Sequence, residues 1–260
     1  MSYSLVGAAQ VGGNGYGNFT VTTAGNLIVV AVFSAGTGTN GSFSSPLLTG
    51  GGVTWTHIAS YFQFDSTSGY NGVELFGACP PVGAGSLTVN NTFSPLLSGF
   101  PVAQEVSLPT PGVWSIDNGN YSTFTATGSG SFPSLTASGA GRLWVGGLGV
   151  YRNYSGSYYL GISQSGPATT LYATPSTVKN QGFIFAVDTL PGTSAYSPTW
   201  SGYNYLVEGS IGAAMLYSPP ASSNPTRPVT SRVPVQRAAN WFKRASGLWS
   251  PESGLIPRAA

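Results

Sequence analysis

The sequence predicts an all-β protein, an antiparallel β-sandwich of jelly-roll-like type with an extended C-terminal arm. Three observations lead there. Short apolar or alternating runs bounded by Gly, Asn, Pro and Ser recur along most of the chain, as they do in sandwiches and barrels. Charged residues make up 6% of the 260 residues, against roughly 25% in an average soluble domain, while there are 37 Gly, 14 Tyr and 13 Phe. No stretch before Pro219 keeps a 3.6-residue apolar period, and glycine at this density would cost about 1 kcal/mol per residue in a helix interior.

In chain order the expected strands are 18–23, 27–33, 54–64, 73–78, 86–90, 101–108, 143–151, 158–163, 182–189 and 209–217. Thr, Val, Tyr, Phe and Trp suit a pleated surface, and the Gly and Asn between them supply turns. An internal echo accompanies this spacing. Thr23-Ala-Gly-Asn-Leu-Ile-Val-Val resembles Ser138-Gly-Ala-Gly-Arg-Leu-Trp-Val, each a turn feeding an apolar run. The segment from Gly72 is answered by that from Gly182, and Pro101 to Leu108 by Gly212 to Ser218. Two similar halves within a body spanning residues 1–218, or chance matching in a Gly/Ser/Thr-rich chain, are the two readings of this echo.

At Pro219 the composition changes. Pro219, Pro220, Pro225, Pro228 and Pro234 make residues 219–234 an extended polyproline-like linker. Within residues 235–260, Ala238, Trp241 or Phe242, Ala245 and Leu248 or Trp249 fall at helical spacing, with Gly247 as a stop. A short amphipathic helix is expected there. Charge divides at the same place. The body carries Arg142, Arg152 and Lys179 against Asp65, Glu74, Glu105, Asp117, Asp188 and Glu208. The arm carries Arg227, Arg232, Arg237, Lys243, Arg244 and Arg258 against Glu252 alone. A cationic arm with Trp241, Phe242 and Trp249 is too apolar for a purely solvating tail, so it is expected to anchor the body to a partner or a neighbouring copy.

Several chemistries find little support. Cys79 is the single cysteine, which leaves no internal disulfide and no cysteine metal cluster. Met1 to Gln10 lacks a basic region ahead of its apolar residues, and the run 27–33 is far short of the ~20 residues that span a bilayer. Neither a signal peptide nor a membrane helix is expected. Gly36 to Gly41 formally matches G-x-G-x-x-G, but loop residues rather than a helix follow, and no cofactor is expected. His57 is the sole histidine, no G-x-S-x-G occurs, and Ser176 to Lys179 matches S-x-x-K without its partner motifs. Asp65 with Glu74 is the least implausible carboxylate pair for a hydrolase. Nucleic acid is not an expected partner, because the body is net acidic and the bases sit in the arm.

The aromatic clusters carry more promise. Tyr151, Tyr154, Tyr158 and Tyr159 are interleaved with Arg152, Asn153, Ser155 and Gly156, and Trp200, Tyr203 and Tyr205 with Ser201, Gly202 and Asn204. Rigid amphipathic rings among Ser, Gly and Asn suit adaptable recognition surfaces, and their flat faces suit sugars. Tyr151, Tyr154, Tyr158, Trp200 and Tyr203 are therefore candidate glycan contacts. The alternative is that they line a core or a subunit interface.

Ser4-Leu-Val-Gly-Ala-Ala-Gln, then Thr23 to Val32, then Val53-Thr-Trp-Thr-His-Ile-Ala-Ser and Val73-Glu-Leu-Phe-Gly-Ala together resemble minor tail and related virion proteins of tailed phages, especially those of actinobacteria. The resemblance covers roughly residues 1 to 220, in soft strand patterns that carry no catalytic residues. It implies a non-enzymatic virion component, with the tail favoured over the capsid, made in the host cytoplasm and released by lysis. Its expected partners are other virion proteins and copies of itself. Arg237, Trp241, Phe242, Lys243, Arg244 and Trp249 are the expected docking residues. A capsid decoration or head-fibre protein, and a module adsorbing to host cell-wall glycan, are the competing expectations.

Overall fold

The strongest apolar runs form the centres of two antiparallel sheets, and each central strand is buried on both faces. They are seen in a computed structural model that describes residues 2–13, 15–36, 48–65, 69–89, 97–151, 163–165, 168–173, 181–190 and 192–220. In the N-terminal half the strands are β1 (Ser4–Val11), β2 (Tyr16–Val21), β3 (Leu27–Gly36), β4 (Leu48–Gly50), β5 (Thr56–Asp65), β6 (Gly69–Ala78), β7 (Gly83–Val89) and β8 (Leu97–Ser107). The C-terminal half has β9 (Ser115–Ser131), β10 (Leu135–Thr136), β11 (Arg142–Tyr151), β12 (Ser163–Ser165), β13 (Thr169–Ala173), β14 (Gln181–Leu190), β15 (Ala195–Tyr196) and β16 (Thr199–Tyr217).

The first main sheet has the order β1-β8-β3-β6-β5, and a small sheet β2-β7-β4 accompanies it. The second main sheet runs β9-β16-β11-β14-β13, with β12 paired to the start of β16, and β10 pairs with β15. The second half repeats the first except at one strand: β9, β16, β11, β14 and β13 stand where β1, β8, β3, β6 and β5 stand, and β10-β15 answers β2-β7, but β12 pairs with β16 where β4 pairs with β7. The echo read at Thr23 and Ser138 falls on the turns that feed β3 and β11.

Side-chain alternation separates three cores. From β3, Leu27, Val29, Ala31 and Phe33 point into a cluster shared with Leu143, Val145, Phe183, Phe185 and Leu216, so the two main sheets pack face to face. The intervening Ile28, Val30 and Val32 meet Phe19, Val21, Leu48 and Leu87 of the small sheet. On the far side of the second main sheet, Trp144, Leu148, Ile184, Ala213 and Met215 pack with Phe132, Leu135 and Trp200. Each fully buried Val, Leu or Phe contributes roughly 1.5–3 kcal/mol, which explains why β3 and β11 read as continuous apolar runs rather than alternating ones.

The main sheets approach closely where side chains are missing. A Cβ placed on Gly147 would lie 2.5 Å from the Val73 Cγ2, and one on Gly149 would lie 3.1 Å from the Gly72 carbonyl oxygen. Glycine is required there by the opposing sheet.

Two strands that alternation did not reveal, β1 and β9, lie at sheet edges, where little burial imposes a pattern. The expected strand at 158–163 lies mostly outside the described residues, as do the linker, the arm and its expected helix. The chain divides into two units, Met1–Ala221 and Ser222–Ala260. No helix among the described residues is long and apolar enough to cross a membrane.

Candidate functional site

Each central strand is entered through a turn closed by a glycine in the left-handed region, Gly25 before β3 (φ 80°) and Gly141 before β11 (φ 67°). Both turns are held by a carboxylate, buried in the first half and partly buried in the second. Glu105 on β8, 2% exposed, accepts hydrogen bonds from the amide and hydroxyl of Thr22, the amide of Thr23 and, at 2.7 Å, the side chain of Asn26. In the second half Asp117 accepts from the amide and hydroxyl of Ser138 and, at 3.0 Å, from Arg142 Nε. Thr22 corresponds to Ser138 and Asn26 to Arg142, while the Thr23 amide has no counterpart among the Asp117 donors, and the anion comes from β8 in one half and from β9 in the other. Burial raises the pKa of both carboxyls. For Glu105 the donors Asn26, Thr22 and Thr23 outweigh it, and for Asp117 Ser138 and then the Arg142 charge do so, which leaves both below the usual carboxylate range.

Beside the second turn lies a cleft of about 660 Å³, walled by Tyr3, Pro109, Leu190, Tyr217 and Pro220 around Arg142. The guanidinium is already engaged: beyond Asp117 it donates to the Ala140 carbonyl at 2.9 Å and to Ser138 Oγ at 3.0 Å. Its flat face covers the Tyr217 ring, 4.0 Å from the centroid. The Tyr3 hydroxyl accepts from the Ser218 amide at 2.6 Å and donates to the Leu216 carbonyl at 3.4 Å. Burial pushes that hydroxyl's pKa up. The cleft therefore offers rings and prolines, with its one cation neutralised.

The same cleft marks where the body ends. Thr110, in the connection between the two halves, donates its hydroxyl to the Pro219 carbonyl at 2.6 Å and its amide to Ser218 Oγ at 3.2 Å. The start of the chain, the connection between the halves and the exit at Ser218 and Pro219 are thus tied at one point.

The predicted site residues fare differently. Trp200 is corrected outright: it is 1% exposed and belongs to the core beneath the second main sheet. It pairs across the strands with Gly130, whose missing side chain makes room for the indole, since a Cβ there would sit 2.6 Å from the ring. A buried ring cannot stack on a glycan. Tyr151 pairs with Gln181 at the end of β11, and Tyr203 falls in the register shift of β16 between Ser201 and Leu206. Their side chains, all of Tyr154 and Tyr158, and the arm residues Arg237, Trp241, Phe242, Lys243, Arg244 and Trp249 lie outside what is described. Asp65 and Glu74 are not brought together. They sit opposite Gly69 and Ser60 on the β5-β6 pair, five steps apart, or about 17 Å at 3.4 Å per residue, too far for a glycosidase pair.

His57 lies on β5 with its side chain 40% exposed. Its Nε2 lies 3.1 Å from Oε1 of Glu74, a carboxylate 1% exposed. Near the end of β14, Tyr196 donates to Asp188 at 2.5 Å, and burial followed by that carboxylate holds its hydroxyl protonated far above the ordinary range. Among the described residues no group of three His, Cys, Asp or Glu is placed to hold a metal ion. Arg142, Asp117, Glu105 and Tyr3 escaped the sequence reading. The signal available was scarcity, because a chain with 9 bases and 7 acids has few charges to place in turns.

Fold and cleft together define an all-β protein with two multistranded antiparallel sheets and a tied exit. No family model, no curated protein and no solved structure matches this chain.

Proposed function

We propose that the chain is a non-enzymatic structural component of a phage particle, a minor tail or tail-tip protein docked through its C-terminal arm. The observation that carries this reading is the tied exit. A body that hands its chain onward from Ser218 and Pro219, cross-linked to Tyr3 and Thr110, transmits load into its own core rather than into a loose terminus. The linker and cationic, tryptophan-bearing arm follow directly from that point in sequence. A surface with little charge agrees with a life packed against other proteins.

Each half reads as jelly-roll-like. The order β1-β8-β3-β6 against β2-β7-β4 supports this, with β5 lying beside β6 instead of joining β4. Jelly rolls serve in viral capsid and lectin domains, so the fold agrees with a virion role without specifying one.

The test is incorporation. Trp241→Ala with Trp249→Ala should release the protein from assembled particles while the body stays folded by circular dichroism, and unchanged incorporation would remove the anchoring role. Copy number per particle separates a tail component from capsid decoration, because decoration proteins match the capsid lattice in number.

A further inference from the structure

The two corresponding edge strands are guarded differently. Strand β1 is 8 residues long, and its pairing with β8 shifts between Val6 and Gln10, around Gly7 at φ 66°. Such a bulge blunts a sheet edge against unwanted pairing. Strand β9 is 17 residues long, and its pairing with β16 runs unbroken from Asn118↔Met215 to Thr127↔Leu206. At 3.4 Å per residue those ten residues present an edge of about 34 Å.

Asn-Gly-Asn-Tyr-Ser-Thr-Phe-Thr-Ala-Thr contains neither a charge nor a proline, the two usual edge guards. Asn118, Gly119, Asn120 and Tyr121 are exposed in succession, Tyr121 at 54%. Among the described residues no strand pairs with the side of β9 that faces away from β16. The Tyr121 amide is already met by Asn120 Oδ1 at 2.8 Å, and the remaining backbone N–H and C=O groups on that side are matched by another extended strand.

We propose that this edge pairs antiparallel with the same edge of a second copy about a two-fold axis, joining two second-half sheets into one. An antiparallel strand pair is self-complementary under such an axis, so one surface serves both partners. The uncharged stretch brings no like charges together, and the charge next to it in sequence, Asp117, is already paired with Arg142 at 3.0 Å. A charged partner would find nothing to grip. Exposed Tyr121 and Ile116, the latter at 40%, add ring and aliphatic contacts beside the backbone bonds. The inference is independent of the phage reading, since it concerns only self-association.

The experiment is light scattering and sedimentation of the full chain over a range of concentrations, beside the double variant Asn120→Lys/Tyr121→Lys. Lysines on adjacent, oppositely facing positions place like charges against the partner's on both faces. The expected result is twice the chain mass for the wild type and once for the variant, with equal circular dichroism and thermal midpoint. Amides of residues 118–127 should exchange about tenfold more slowly in the wild type at high concentration. If the double variant misfolds, Tyr121→Lys alone, at an exposed position, takes its place. A wild-type chain that stays monomeric throughout would overturn the proposal. So would a dimer that survives the lysines, or one lost only on Trp241→Ala/Trp249→Ala, which would move self-association to the arm.

Discussion

Replacing Gly147 by Ala tests whether the two main sheets pack as closely as their glycines imply, because the sign of the effect changes with the answer. In a strand with open space above it, Gly→Ala stabilises by about 0.5–1 kcal/mol, since glycine loses more backbone freedom on folding. Here the new Cβ would lie 2.5 Å from Val73 Cγ2 and 3.1 Å from Leu75 Cδ2, where carbon contacts relax only near 3.5–4.0 Å. Val73 is fully buried and β-branched, so it has no easy alternative rotamer. Either the sheets part by roughly 1 Å or Val73 strains, and overpacking of this kind costs about 1–3 kcal/mol. Urea unfolding followed by tryptophan fluorescence should show that loss as a lower midpoint with little change in slope. The double variant Gly147→Ala/Val73→Ala removes the offending methyl. Its loss should fall short of the two single losses combined by about 1 kcal/mol, the mark of residues in contact. A Gly147→Ala protein more stable than wild type, or strictly additive losses, would refute close sheet packing.

Two further outcomes follow from the turn-holding carboxylates and from Trp200. Glu105 and Asp117 have folded pKa values below their unfolded ones, so their contribution is present above pH of about 4 and is lost as pH falls through the lower folded values. Unfolding measured from pH 7 to pH 2 should show that decline in the wild type and a smaller one in Glu105→Ala. The same variant should be less stable by about 3 kcal/mol at pH 7, because Asn26 and the Thr22 amide lose their acceptor, and an undiminished acid dependence would count against the cage. Trp200→Ala should destabilise the fold by about 3–5 kcal/mol through the cavity it leaves. A stable Trp200→Ala protein with weakened binding to host envelope would restore Trp200 as a surface contact.

The fold class was legible because the central strands must be apolar: β3, β6, β11, β14 and the end of β16 bury both faces, and burial leaves no freedom in residue type. The repeat was legible for a related reason, since Gly25 and Gly141 occupy turns that favour a left-handed residue, and a common turn feeding a common apolar run leaves a common trace. Edge strand β5 was legible too, but the edges β1 and β9 were not. Strand β9 reads as Ser, Asn, Gly and Thr because an exposed strand is held by its backbone pairing with β16, which any such residue can make. Residue type alone also left Trp200 between two readings. An aromatic ring among Ser, Gly and Asn looks like a recognition surface, and only the cross-strand position of Gly130, seventy residues earlier in the chain, decided that the indole points into the core. The acidic partners of the two turns were likewise beyond local reading, because Glu105 and Asp117 reach Asn26 and Arg142 through pairings that the tertiary structure alone brings about.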